Sequence, residues 1–260
     1  MVLRKVRCLT ACLIAAIVTL AVPGRTLAES QILIQELDGS GNAVAGQLQI
    51  TTGTSATFST TNFTGISVVT SSGSGAIGSL TTSVSSGLAS SLDSTHTLQV
   101  IVTNDGFINP FPGQPGQISN SAGASSAIVG GTNTITGVTQ LLGLPLTIPV
   151  TQTGSVASGT VIAGPTAVAT DTRPGGGGAN STSGNSSSLP AAYAIQQVIT
   201  VRATPNAGSE IASGSTVGGT VGSTVLTNAA AVPAPAGLVL GLCAIPVLGL
   251  RRLLRRKTRD

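Results

Sequence analysis

Reactive and bulky side chains are scarce in this chain. Of 260 residues only 2% are aromatic and 8% are charged, tryptophan is absent, and His96 is the only histidine. A histidine metal pair is therefore impossible, and a basic groove interleaved with aromatics, as nucleic-acid binding needs, has no material to form from. Cysteine is confined to Cys8, Cys12 and Cys243, leaving none between Glu29 and Val232 for a disulfide framework or a thiolate metal site. The same span has no lysine, and its only cations are Arg173 and Arg202 against seven carboxylates, so its balance is 2 − 7 = −5. The formal charge of +4 belongs to the two ends of the chain.

Small residues fill the body. Between Glu29 and Val232 there are 30 Ser, 31 Thr and 30 Gly, a composition with poor helix propensity. Its larger apolar residues are mostly Val, Ile and Leu in short runs bounded by Gly, Asn, Asp and Ser, which predicts an all-β fold. The clearest strand is Thr97 to Thr103, where Leu98, Val100 and Val102 share one face. Asn104-Asp105-Gly106 is expected to turn the chain after it. Gln31 to Leu37 and Ala45 to Thr51 flank Asp38-Gly39-Ser40-Gly41-Asn42 as a predicted hairpin. Further strands are expected at Phe63–Thr70, Thr134–Leu142, Leu146–Thr153, Thr160–Thr170 and Tyr193–Ala203, enough for a β-sandwich of Ig-like or jelly-roll-like type. Composition marks residues 173–190 as a flexible loop. Glycines among Val217, Val221 and Val225 argue against a helix there and mark residues 205–232 as a low-complexity spacer, read as an edge strand or a loose segment.

The ends carry addresses. Arg4, Lys5 and Arg7, an apolar run from Cys8 to Val22, and Thr26-Leu27-Ala28 read as a secretory signal peptide over residues 1–28, cleaved between Ala28 and Glu29. At the other end Val232-Pro233-Ala234-Pro235-Ala236 precedes an apolar stretch to Leu250, followed by Arg251, Arg252, Arg255, Arg256 and Lys257. The prolines stop a helix from running back into the body, the apolar stretch partitions into lipid, and the arginines stay on the cytoplasmic side. This order resembles the bacterial PEP-CTERM class of sorting signals, in its VPLPA-type variant, with Ala234 where the commonest form has Glu. The resemblance covers residues 233–260 and implies one transmembrane helix and recognition by an exosortase, a membrane-embedded cysteine protease. It also implies an envelope protein that passes the Sec machinery and signal peptidase, is held in the inner membrane, and is then passed to the cell surface or extracellular matrix.

Chemistry in the body between Glu29 and Val232, of which residues 29–204 are the predicted all-β domain, is sparse. No Ser sits in Gly-x-Ser-x-Gly, and Gly175–Gly178 lack the lysine of a phosphate loop. Glu36, Asp38, Asp93, Asp105, Asp171 and Glu210 fall on no common element and are assigned to turns and caps; His96 is assigned to the surface between strands. Asp38 to Asn42 lacks the acidic repeat and distal Glu of a calcium loop. No catalytic, cofactor or metal residue is therefore assigned, and no enzyme activity is expected. The expectation is a structural or adhesive surface protein. The alternative is a carbohydrate-binding β-sandwich, for which Phe107 and Phe111 are the expected exposed rings.

Overall fold

The computed structural model describes residues 30–73, 77–109, 112–143, 161–171, 177–186 and 188–227. Within them the chain is β throughout, in twelve strands: β1 (Ser30–Leu37), β2 (Ala43–Thr52), β3 (Ser55–Phe58), β4 (Phe63–Gly73), β5 (Ile77–Leu88), β6 (His96–Ile108), β7 (Gly116–Ser125), β8 (Gly131–Gly143), β9 (Val161–Asp171), β10 (Gly177–Ser186), β11 (Ala192–Pro205) and β12 (Thr216–Thr227). They form two six-stranded antiparallel sheets. Sheet A runs β2-β1-β6-β11-β8-β9 and sheet B runs β10-β7-β12-β5-β4-β3. The expected helices of residues 1–28 and 233–260 and the expected strand Leu146–Thr153 lie outside the described residues.

The two sheets are held by an aliphatic layer between them. Ile32 and Ile34 of β1, Leu98, Val100 and Val102 of β6, and Ile195, Ile199 and Val201 of β11 face Ile66, Val68, Leu80, Val84, Val217, Val221 and Val225 of sheet B. At period two the alternate residues of the same strands turn outward, which is why β5 reads buried, exposed, buried along Leu80-Thr81-Thr82-Ser83-Val84. The sheets approach closely where side chains are missing: a Cβ on Gly137 would sit 2.6 Å from Val221 Cγ1.

A polar node interrupts this layer. Gln197 is fully buried; its Nε2 donates to Ser223 Oγ (2.6 Å), Leu80 O (2.8 Å) and Val221 O (3.3 Å), while its Oε1 accepts from Thr82 Oγ1 (2.6 Å). Ser223 Oγ also meets Thr139 Oγ1 at 2.6 Å. Nearby, Asn120 Nδ2 of sheet B donates to Gly137 O of sheet A at 2.7 Å, and Asn133 Nδ2 of sheet A donates to Gly218 O of sheet B at 2.8 Å. Hydrogen bonds with fixed donors and acceptors set one registry between two sheets that aliphatic contact alone would leave free to slide.

Three sequence expectations are corrected. Residues 216–227, taken as part of a spacer or as an edge strand, form β12, a central strand paired on both sides, with β5 and β7. Residues 177–186, taken as part of a flexible loop, form β10, which pairs with β7 from Gly177↔Ser125 to Ser186↔Gly116. Asn104-Asp105-Gly106 does not end its strand: β6 continues to Ile108 through a bulge opposite Tyr193–Ile195, with Gly106 supplying the positive φ of 88°.

Across the sandwich β3 lies against β1, β4 and β5 against β6, β12 against β8 and β11, and β10 against β9. Since β3 is the last strand of sheet B, β2 projects past it. At the opposite end the two sheets draw together, with Thr182 Oγ1 of β10 donating to Thr166 O of β9 at 2.8 Å.

Candidate functional site

The assigned sorting residues Val232, Pro233, Ala234, Pro235, Ala236, Arg251, Arg252, Arg255 and Arg256, and the cleavage pair Ala28 and Glu29, lie outside the described residues. The structure does describe most of the titratable groups of the body. Asp38 sits in the β1–β2 turn, where its Oδ1 accepts from the amides of Asn42 (2.8 Å) and Ser40 (2.9 Å). Those amides, Asn42 first, hold its carboxyl below the ordinary value. The turn role read from sequence is thus the observed one.

Glu36 and His96 differ from their sequence assignments. Glu36 points into the sandwich at 2% exposure, and His96 is the first residue of β6 rather than a residue between strands. Asn62 Nδ2 donates to Glu36 Oε1 (2.5 Å) and stands 3.0 Å from His96 Nδ1, while His96 Nδ1 is 3.5 Å from the same carboxylate oxygen. On the far side of the ring Ser94 Oγ lies 3.3 Å from His96 Nε2 and donates to Asp93 Oδ1 at 3.1 Å. With Asn62 as donor, Nδ1 must accept and Nε2 must carry the proton toward Ser94. The chain of contacts ties the loop of Asp93 and Ser94 to the sandwich through His96.

The described aromatic rings turn inward. Phe107, expected exposed, is buried and stacks on Tyr193 with centroids 5.6 Å apart and planes at 15°. It is recruited to the core because the bulge at Asp105–Gly106 flips it back onto the inner face. Burial pushes the Tyr193 hydroxyl up to about 12. Phe63 is buried as well, and Phe111 lies outside the described residues.

What sequence reading missed is the outer face of sheet B. Register places Ser55, Val69, Ser83, Thr220, Gly123 and Ala179 in one row across six strands. The next row is Ser71, Thr81, Gly222, Ser121 and Ser181, and another is Thr57, Ser67, Ser85 and Gly218. Side chains in such an array repeat about every 6.8 Å along a strand and about 4.8 Å between strands. No outward position of these six strands with a described side chain is charged or aromatic, and the larger groups on the face are Val69, Gln117, Asn185 and Leu226. Adjacent hydroxyls engage one another, as Ser83 Oγ and Thr220 Oγ1 do at 3.2 Å. A shallow hollow of about 500 Å³ opens on this face along Ser121–Gly123, Ala179–Ser181 and Thr220. Its outward groups are the hydroxyls of Ser121, Ser181 and Thr220, which both donate and accept, beside Gly123 and Ala179.

No known family matches the chain, and no curated protein does. Among solved structures it is similar to the carbohydrate-binding module TmCBM61, described in complex with beta-1,4-galactotriose, at 9% identity over 62% of this chain and 88% of that one, with a TM-score of 0.25. It is also similar to the enzymatically active domain of tailspike protein 4 of bacteriophage CBA120, at 13% identity over 62% of this chain and 19% of that one, with a TM-score of 0.24. Likeness at that level says nothing of what this chain binds.

Proposed function

We propose that this is an exported, non-catalytic β-sandwich whose role is structural and adhesive, and that it meets hydroxyl-rich polymer of the envelope or matrix through the outer face of sheet B. The observation that carries the reading is the uncharged Ser/Thr array of that face. Short hydroxyl side chains lose little conformational freedom on contact, and each can donate or accept, so the face suits a neutral polyol chain in many registers. This is avidity along a polymer, not a stacking platform, and it fits a domain whose described aromatic rings are turned inward. Export and delivery rest on the leader and on the tail: Sec passage, cleavage after Ala28, retention in the inner membrane, and exosortase-type processing near Val232–Ala236.

The test is retention on neutral polysaccharide. The protein from native envelopes is sedimented with insoluble glucan or galactan, and Ser83→Glu/Thr220→Glu is compared with the native chain. Loss of co-sedimentation in the variant, with unchanged circular dichroism, is the expected result. Equal co-sedimentation of both chains, or none by either, refutes the sheet-face reading.

A further inference from the structure

We infer that the overhanging strand β2 is a self-association edge, pairing antiparallel with β2 of a second copy about a twofold axis through Gln49. The inference is independent of the polymer-contact reading, because it concerns the opposite side of the sandwich.

Strand β2 inverts the pattern of the rest of the fold. By register with β1, its inward positions are Gln47, Gln49 and Thr51, and its outward ones are Leu48 and Ile50. Beneath them lies the connection between β3 and β4 rather than a strand, and Gln47 Oε1 accepts from Thr61 N there at 2.9 Å. Outward, Ile50 begins an unbroken aliphatic row across the outer face of sheet A: Ile50, Leu33, Ile101, Val198 and Val138 are cross-strand neighbours in register. The row stops at β2, the last strand of sheet A among the described residues.

That edge has none of the usual devices against pairing. From Gln47 to Thr52 it carries no proline, no lysine and no charge of either sign. Gly53 N donates to Ser30 O at 2.8 Å, so by alternation the main-chain groups of Thr51 and Gln49 face β1 while those of Leu48, Ile50 and Thr52 face outward. Among the described residues β2 pairs with β1 alone. One orphan adds to this: Gln49 Oε1 is shut off from water and accepts no hydrogen bond. Such an acceptor costs about 1–3 kcal/mol unless a donor is supplied.

A second copy supplies what is missing. With Gln49 on the axis, Leu48 and Ile50 of each copy exchange main-chain hydrogen bonds with Ile50 and Leu48 of the other. Gln49 then faces its own mate as a non-hydrogen-bonded pair, the closer of the two antiparallel spacings, and each amide can donate to the other's Oε1 once the side chain swings out of the position that seals that oxygen in the single chain. Outward, the half-buried Leu48 and Ile50 of the two copies meet across the seam. No like charges meet, because the paired segment has none. The assembly closes as a dimer. Gly46, at a φ of 75°, and the register shift at Gln35–Leu37 break the regular edge on one side, and the far edges draw together at β9 and β10.

The experiment uses the full chain in isolated envelopes, with Cys8, Cys12 and Cys243 replaced by serine. Gln49→Cys is oxidised mildly and compared with Thr57→Cys, on the edge strand of the other sheet. The expected result is a reducible dimer for Gln49→Cys alone, with Leu48→Lys in the same background lowering its yield about tenfold or more. As a readout free of variants, the Leu48 and Ile50 amides of the detergent-solubilised native chain exchange slowly when concentrated and fast when dilute. A chain that stays monomeric at every concentration overturns the proposal. So does a dimer that neither crosslinks through position 49 nor protects those two amides, since its seam would then lie elsewhere.

Discussion

Replacing Gln197 with leucine tests whether the polar node in the core is stabilising and specific. The substitution keeps the volume close to that of the native side chain but removes every partner that Gln197 provides. Thr82 Oγ1 loses its 2.6 Å acceptor in a layer closed to water, and Leu80 O loses a 2.8 Å donor. Ser223 keeps Thr139, so its loss is partial. A stranded hydroxyl costs about 1–3 kcal/mol, and each lost neutral hydrogen bond about 1 kcal/mol net, so Gln197→Leu is expected to cost about 3 kcal/mol. In a domain of this size that lowers Tm by about 6–12 °C. Adding Thr82→Val removes the stranded hydroxyl and should return about 1–2 kcal/mol, because deleting both ends of a buried polar pair costs less than deleting one. Thermal and urea unfolding followed by circular dichroism would measure both. A single variant within about 0.5 kcal/mol of the native chain, or a double variant no more stable than the single, refutes the argument.

Other expectations follow from particular contacts. Asn62→Leu leaves the buried Glu36 carboxylate without its 2.5 Å side-chain donor, keeping only the longer bond from the main-chain N–H of residue 62, and should destabilise the fold by about 2–3 kcal/mol in urea unfolding; a neutral result would refute the role of the Asn62 amide. Gly137→Ala pushes a methyl to 2.6 Å from Val221 Cγ1 and should cost about 1–3 kcal/mol, relieved in part by Val221→Ala, as a double-mutant cycle would show. The Tyr193 hydroxyl ionises at about 12 in the fold and near 10 when unfolded. The stability this contributes is complete below pH 10 and is lost as pH rises toward 12, so Tyr193→Phe should flatten the alkaline limb of a stability–pH curve.

The strands most legible in sequence were those with consecutive bulky inward positions. In β6, Leu98, Val100 and Val102 follow one another at period two, as do Ile32 and Ile34 in β1 and Ile199 and Val201 in β11. Strand β12 escaped because two of its inward positions cannot be bulky. Gly219 must stay small, since a Cβ there would run into Gly123 O and Ile135 Cδ1, and Ser223 serves the Gln197 node. Val217, Val221 and Val225 are therefore left four apart, a spacing shared by a helix face and by every second inward position of a strand. Strand β10 has no bulky residue at all, and only pairing with β7 defines it. The hydroxyl face was illegible for a different reason: its rows draw single residues from strands far apart in sequence, and register alone assembles them. The inverted β2 was read as a strand, but that its polar side faces inward follows only from its position beyond the facing sheet.

The most direct test of the central claim, that the domain is exported and delivered to the envelope surface or matrix, is the mass and membrane fraction of the protein in its native cells, with and without residues 233–260. The account expects a product that begins at Glu29, has lost its tail and lies outside the inner membrane, and expects the shortened chain to bypass the inner membrane entirely. A full-length tail found in the inner membrane, unprocessed at all times, would contradict it.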